Sequence, residues 1–125
     1  MMAYTDFTTM PVWQKALKLL IEVYKITNQF PEREKFGITS DMRRAANSIL
    51  HNIAEGYGRF ENKDKTRFYK ISRGSSYELA SQTYASFELN YLNKDYKGIL
   101  LDSIKEIIDE TDKIIRTVED RVKSK

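Results

Sequence analysis

The sequence contains no cysteine and a single histidine, His51. The absence of cysteine excludes disulfides, thiol catalysis and cysteine-ligated zinc or iron–sulfur sites. One histidine is too few for the Glu-x-x-His pairs of a ferritin-like di-metal centre, and the residue three before it is Ser48. A Ser–His–Asp triad needs a strained nucleophile turn, whereas His51 lies in a helical pattern. We therefore predict a non-enzymatic protein with no catalytic residue, no metal and no cofactor.

Long apolar runs are also missing. No stretch approaches the roughly 20 apolar residues that span a bilayer. The first residues show neither the basic n-region nor the apolar h-region of a signal peptide. We expect a cytoplasmic protein with no membrane contact. The chain has 125 residues, of which 41% are hydrophobic and 31% charged, as in a globular protein with one core. Without repeats or low-complexity segments, we predict a single domain over residues 1–125.

Four segments have the periodicity of amphipathic helices, with apolar residues recurring every three or four positions. The predicted helices cover about residues 10–28, 41–57, 63–92 and 95–122. Gly56 and Gly58 are expected to end the second helix, since glycine tolerates the left-handed conformation found at helix ends. A tight turn is predicted at residues 93–95. The short links predict an all-α fold, an antiparallel up-down-up-down four-helix bundle.

The net charge of +3 is unevenly distributed. Residues 43–73 contain eight basic and three acidic residues, a net charge of +5, while the segments on either side are neutral or slightly acidic. A local basic excess can attract a polyanion. The competing interpretation is a solvated helix face whose lysines provide solubility. On the first interpretation, the phosphate-contacting residues are Arg43, Arg44, Arg59, Lys63, Arg67, Lys70 and Arg73.

Aromatic residues are interleaved with this basic segment. Bases of a nucleic acid stack on aromatic side chains. Phe68 and Ile71 have the spacing of core residues, so the candidates for stacking are Tyr57, Phe60 and Tyr69.

The second helix has a polar stripe, formed by Arg44, Ser48, His51, Asn52 and Glu55, and the third helix is rich in small residues. Two interpretations stay open: a network that fixes helix register or a subunit interface, and a binding face. The network or interface residues are Ser48, Asn52, Glu55, Gly74, Ser75 and Glu78. Glu78 is a candidate partner for Arg43 or Arg44, and Arg73 for Glu55.

Several motifs in order resemble those of a known family. They are Trp-Gln-Lys-Ala at 13–16, Phe-Gly-Ile-Thr-Ser at 36–40, Arg-Arg-Ala-Ala-Asn-Ser-Ile at 43–49, Asn-Ile-Ala-Glu-Gly-Tyr-Gly-Arg at 52–59, and Arg-Gly-Ser-Ser-Tyr-Glu-Leu at 73–79. Over residues 10–92 the chain resembles the bacterial four-helix-bundle proteins encoded in intervening sequences of 23S ribosomal RNA genes. That family includes the accessory variability protein of diversity-generating retroelements.

The resemblance implies a four-helix bundle that assembles as a ring-like homopentamer and binds nucleic acid, RNA or DNA, through a basic surface. In the retroelement branch it also implies a reverse-transcriptase partner. The resulting hypotheses are a homo-oligomeric nucleic-acid-binding protein and, as an alternative, a structural adaptor whose oligomer docks a protein partner.

Overall fold

The computed structural model of the protein describes residues 6–123. It contains four α-helices: α1 (Pro11–Thr27), α2 (Ile38–Gly58), α3 (Asn62–Glu88) and α4 (Lys94–Lys123). Short 3-10 turns, Phe7–Thr9 and Glu32–Glu34, precede α1 and α2, and no strand occurs in the described part of the chain. The predicted all-α four-helix bundle is confirmed, while the single-domain assignment of residues 1–125 stays a prediction.

Each helix packs against its neighbour in sequence, and α1 also packs against α4. Contacts along α2 and α3 run in opposite directions: Met42 meets Ser86 near one end, and Gly56 meets Tyr69 near the other. The largest fully buried apolar side chains come from all four helices, and they are Val12, Leu19, Val23, Met42, Ile49, Ile53, Leu79, Leu100, Ile104 and Ile107. Burying them supplies the main favourable free energy of folding.

The small residues of α3 explain how closely it approaches α2. Ser72, Ser76, Thr83 and Ser86 are all fully buried. The Ser76 and Thr83 hydroxyls donate to carbonyl oxygens four residues earlier in α3, and the Ser72 hydroxyl donates across to the Ile49 carbonyl at 2.9 Å. Their polar groups are therefore satisfied inside the core, as buried polar groups must be.

α2 ends at Gly58, close to the predicted end, but the predicted left-handed conformation of Gly56 and Gly58 is wrong. No glycine in residues 6–123 has a positive φ, and α2 continues through Gly56 and Tyr57 to Gly58. A Cβ atom on Gly56 would lie 2.7 Å from the Tyr69 ring. Gly56 is therefore required for close helix packing instead of for a turn. The helix also begins three residues earlier than predicted, at Ile38.

The link between α3 and α4 differs from the predicted turn at residues 93–95. α3 ends at Glu88, and Asn90 takes the left-handed conformation with φ 63°. The Tyr91 N–H donates to the Ser86 carbonyl and the Asn90 N–H to the Phe87 carbonyl, the bonding of a Schellman motif. Asn93 instead caps α4, because its side-chain oxygen accepts from the Tyr96 N–H at 2.8 Å.

Within residues 6–123, no helix has the length and apolar character needed to cross a membrane. The compartment of the protein stays a prediction.

Candidate nucleic-acid interface

A groove of about 740 Å³ lies where the first turns of α3 meet the last turns of α4. Thr66, Ile71 and Val122 line it together with several basic side chains. The charged residues that line it are Lys63, Arg67, Lys70, Lys123 and Glu119. Four cations thus face a single carboxylate, which makes the groove electropositive and suited to an anionic ligand.

The groove cations differ in how they are held. Lys70 donates to Glu119 at 2.9 Å, and an Arg67 nitrogen lies 3.7 Å from an Asp64 oxygen. Both pairs are exposed to solvent, where an ion pair contributes at most about 1 kcal/mol. Lys63 and Lys123 form no ion pair within the described residues. All four can therefore exchange solvent or a weak partner for phosphate at little loss of stability.

Two arginines, one of them the groove residue Arg67, contact the same aromatic ring, that of Phe68. The Arg59 guanidinium carbon lies 4.4 Å from the centre of the Phe68 ring, and that of Arg67 lies 4.7 Å from it. Arg59 also approaches Glu55, with a nitrogen–oxygen distance of 3.6 Å. Stacking of this kind holds the guanidinium by its face and leaves N–H groups at its edge free to donate.

The remaining three predicted phosphate contacts lie away from the groove. Arg43 donates to the Thr27 hydroxyl at 2.9 Å and to the Asn28 side-chain oxygen at 3.0 Å, at the end of α1. Arg44 pairs with Asp41 one turn earlier in α2. Neither contacts Glu78, so the predicted partners of these arginines are wrong.

Arg73 does not pair with Glu55 as predicted. It donates to Asp112 of α4 at 2.5 Å, and this hydrogen bond raises the pKa of the Arg73 guanidinium above its usual value. Arg73 therefore links α3 to α4 beyond the end of the groove.

The structure brings together half of the predicted polar network. The Ser48 and Ser75 hydroxyls lie 2.7 Å apart across α2 and α3. The Asn52 side chain donates to the Ser48 carbonyl at 2.8 Å and to its hydroxyl at 3.1 Å. These three residues form a small hydrogen-bonded cluster at the edge of the helix interface.

The other three predicted network residues face solvent. Glu55 pairs only with Arg59, and Glu78 forms no hydrogen bond or ion pair within residues 6–123. A Cβ atom on Gly74 would meet open space. Close packing inside one chain thus gives no reason for glycine at position 74, unlike position 56.

Only one of the three predicted stacking residues is free. Tyr69 is buried against Gly56. Tyr57 is half-buried, with the Lys65 ammonium 5.8 Å from its ring centre. Phe60 is 99% exposed. Among the residues predicted to be core, Ile71 is instead 43% exposed.

Lys65, counted in the basic segment, serves the fold. Its ammonium donates to the carbonyls of Tyr57 at 2.7 Å and Gly56 at 3.3 Å, which have no partner inside α2. Burial, with a smaller effect from the charge of Arg121, lowers the pKa of Lys65.

Sequence reasoning missed the contribution of α4 to the groove. Glu119, Val122 and Lys123 line it, although the segment from residue 95 onward has a slightly acidic balance. The signal was available, because antiparallel α3 and α4 place the basic last turn of α4 beside the start of α3. In the described part of the chain, no three histidine, aspartate or glutamate side chains are arranged to hold a metal ion.

Comparison with known proteins gives one family and one fold. Residues 8–116 match the family described as 23S rRNA-intervening sequence protein. A crystal structure from Bacteroides thetaiotaomicron VPI-5482, of a protein with unknown function from the S23 ribosomal protein family, superposes with a TM-score of 0.75 at 20% identity. The match covers 83% of this chain and 97% of that one, and it shows a shared fold. No curated protein sequence matches the chain.

Proposed function

The chain belongs to the family of 23S rRNA-intervening sequence proteins, and we propose that it is a non-enzymatic, homo-oligomeric protein that binds nucleic acid. The observation that carries this proposal is the groove between α3 and α4, where four cations face one carboxylate. Phosphate contacts from lysine and arginine supply most of the affinity in sequence-independent nucleic-acid binding.

The groove narrows the set of residues assigned to the phosphates. Lys63, Arg67 and Lys70 line it together with Lys123, whereas Arg59 does not line it and is linked to Arg67 only by their shared contact with Phe68. Arg43 and Arg73 are engaged in bonds that join helices. We therefore assign the binding surface to the α3–α4 groove.

The test removes three groove charges and measures binding across a salt series. Each phosphate contact contributes about 0.7 to 0.9 to the negative slope of log affinity against log salt. In the variant Lys63→Gln, Arg67→Gln, Lys70→Gln we expect weaker RNA binding and a slope about 2 to 3 smaller in magnitude.

A matched control separates a local site from net charge. Lys18, Lys25 and Lys113 are exposed on α1 and α4, and replacing all three with glutamine removes the same total charge. This control should keep the wild-type slope. Equal slopes for the groove variant and the wild type, or equal losses in both triple variants, would refute the assignment.

We propose further that the protein forms a homopentamer, as the family resemblance implies, with the outer face of α3 as a contact surface. Gly74 lies there in open space, and Tyr77 and Tyr84 on the same helix are about half exposed. Absence of a side chain lets another helix approach closely, and exposed tyrosines are common in interfaces.

Light scattering tests the assembly. The proposal expects a mass five times the 14.7 kDa of one chain. Gly74→Leu should dissociate the oligomer without unfolding the monomer, because the added side chain meets nothing in its own chain. A wild-type protein that is monomeric at micromolar concentration would rule this proposal out.

The same α3 face supports the second candidate, an adaptor that docks a protein partner such as a reverse transcriptase. Ile71, Tyr77 and Tyr84 expose apolar surface along one helix. If the salt series shows no binding to RNA or DNA, the adaptor becomes the better explanation. It then predicts that Tyr77→Ala, Tyr84→Ala abolishes capture of a purified reverse transcriptase.

A further inference from the structure

We infer that the α3–α4 groove takes a single strand of nucleic acid in preference to a duplex, with Phe60 stacking on an unpaired base. This inference rests on the proposed nucleic-acid binding and names the form of the ligand.

The argument begins with Phe60, which leaves its ring almost wholly in water. It is 99% exposed, lies two residues before the first residue of α3, and forms no ring contact within the described residues. Exposing a large apolar side chain in this way gives up the free energy that its burial would provide. A ligand that covers the ring would recover it.

The charge near Phe60 determines which ligand can cover its ring. Phe60 is three residues from Lys63, so the two Cα atoms are at most about 11 Å apart. Lys63 begins the basic side of the groove and has no ion-pair partner among residues 6–123. A ligand that covers Phe60 therefore meets the groove cations as well, which selects an anionic chain with flat apolar groups. An unpaired nucleic-acid strand has both.

A duplex lacks one of those properties. Its bases are stacked on one another and show only their edges in the grooves, so the face of the Phe60 ring has nothing to pack against. The apolar surface of Ile71 and Val122 would likewise meet hydrated phosphates. A single strand can turn a base onto Phe60 while its phosphates follow Lys63, Arg67 and Lys70.

The experiment compares two labelled probes by fluorescence anisotropy: an oligouridine strand, and the same strand annealed to oligoadenosine. We expect tighter binding of the single strand by the wild-type protein. Phe60→Ala should weaken that binding about 5- to 150-fold, the loss of one stacked base. The salt slope and the duplex affinity should not change, because no charge is removed. Phe60→Trp should retain the preference for the single strand.

Phe36 provides the matched control. It is also exposed, at 90%, and has Lys35 beside its ring, but it lies between α1 and α2. Phe36→Ala should leave both affinities unchanged.

Three results would overturn the inference: an unchanged single-strand affinity in Phe60→Ala, equal or tighter binding of the duplex by the wild type, or a change of oligomeric mass in Phe60→Ala, which would place the ring between subunits. The first two, obtained with salt-dependent binding intact, leave the proposed function standing. Absence of salt-dependent binding to both probes would remove both proposals.

Discussion

Gly56 allows the sharpest test of how α2 packs on α3. A Cβ atom at this position would lie 2.7, 2.9 and 3.0 Å from three carbons of the Tyr69 ring. Tyr69 is only 4% exposed and packs against Ile115 and Val118 of α4. The ring cannot swing out into solvent, so Gly56→Ala forces α2 away from α3 or pushes the ring against its α4 neighbours.

The magnitude follows from two opposing effects. Overpacking a well-filled core costs about 1–3 kcal/mol, whereas replacing glycine by alanine inside a helix gains up to about 1 kcal/mol. Gly98→Ala isolates the second effect, because Gly98 is helical and exposed, with open space at the Cβ. We expect Gly56→Ala to be less stable than this control variant by about 1–3 kcal/mol.

Urea unfolding followed by circular dichroism at one fixed protein concentration measures this difference. A double variant adds a second check: Tyr69→Leu removes the ring, so Gly56→Ala should be less harmful in that background, with a coupling energy of about 0.5–3 kcal/mol. If Gly56→Ala proves as stable as Gly98→Ala, the close approach of Gly56 and Tyr69 does not explain the glycine.

Three further predictions concern groups that join the helices. Burial raises the pKa of Tyr69 from 10.0 to about 12, so the folded state favours the neutral phenol. This stabilisation is present below pH 10, and about 2 kcal/mol of it is lost as the pH rises from 10 to 12. Urea midpoints measured against pH should show the loss, and Tyr69→Phe should reduce it. Lys65→Met keeps the aliphatic stem but leaves the last carbonyls of α2 without their donor, so it should lower the unfolding free energy by about 1–2 kcal/mol. The control Lys70→Met breaks only an exposed ion pair and should change the unfolding free energy by less than about 1 kcal/mol. Arg43 donates to both Thr27 and Asn28, and its guanidinium carbon lies 4.6 Å from the centre of the Tyr24 ring. Lysine cannot reproduce this forked, stacked contact, so Arg43→Lys should lower the unfolding free energy by about 1–2 kcal/mol and speed amide exchange at the end of α1. Arg44→Lys, at an exposed pair within one helix, should change the unfolding free energy by less than about 0.5 kcal/mol.

The sequence was enough to predict the helices and their bundle, because the period of apolar residues depends only on local geometry. Prediction from the sequence was wrong where the role of a residue depended on a neighbouring helix. In the sequence, a glycine that ends a helix looks the same as a glycine that makes room for an aromatic ring. At Gly56, only the position of Tyr69 in the fold distinguishes these two roles. Leu89 continues the apolar spacing of α3, yet it lies beyond the end of that helix and is about half exposed.

The predicted ion-pair partners were wrong for a related reason. Sequence reasoning paired the charges of α2 with those of α3, the nearest helix along the chain. Arg43 instead reaches back to the end of α1, and Arg73 and Lys70 reach forward to Asp112 and Glu119 of α4. In a bundle each helix has two neighbours, so the partner of a long side chain depends on the side of the helix from which it extends. A one-residue difference rotates that side by about 100°.

This geometry also changes what the charge of a segment means. Residues 43–73 carry +5 as a stretch of chain, but Arg43, Lys65 and Arg73 use their charge to hold helix ends and neighbours together. The electropositive groove depends instead on a coincidence of two helix ends, since the basic last turn of α4 adds Lys123 to the cations at the start of α3. A polyanion would respond to the local electric field of these cations, which salt screens over about 8 Å at physiological ionic strength. Fewer cations are therefore available to bind phosphate than the segment contains. The fold predicts that the measured salt slope corresponds to fewer phosphate contacts than the seven assigned from the sequence.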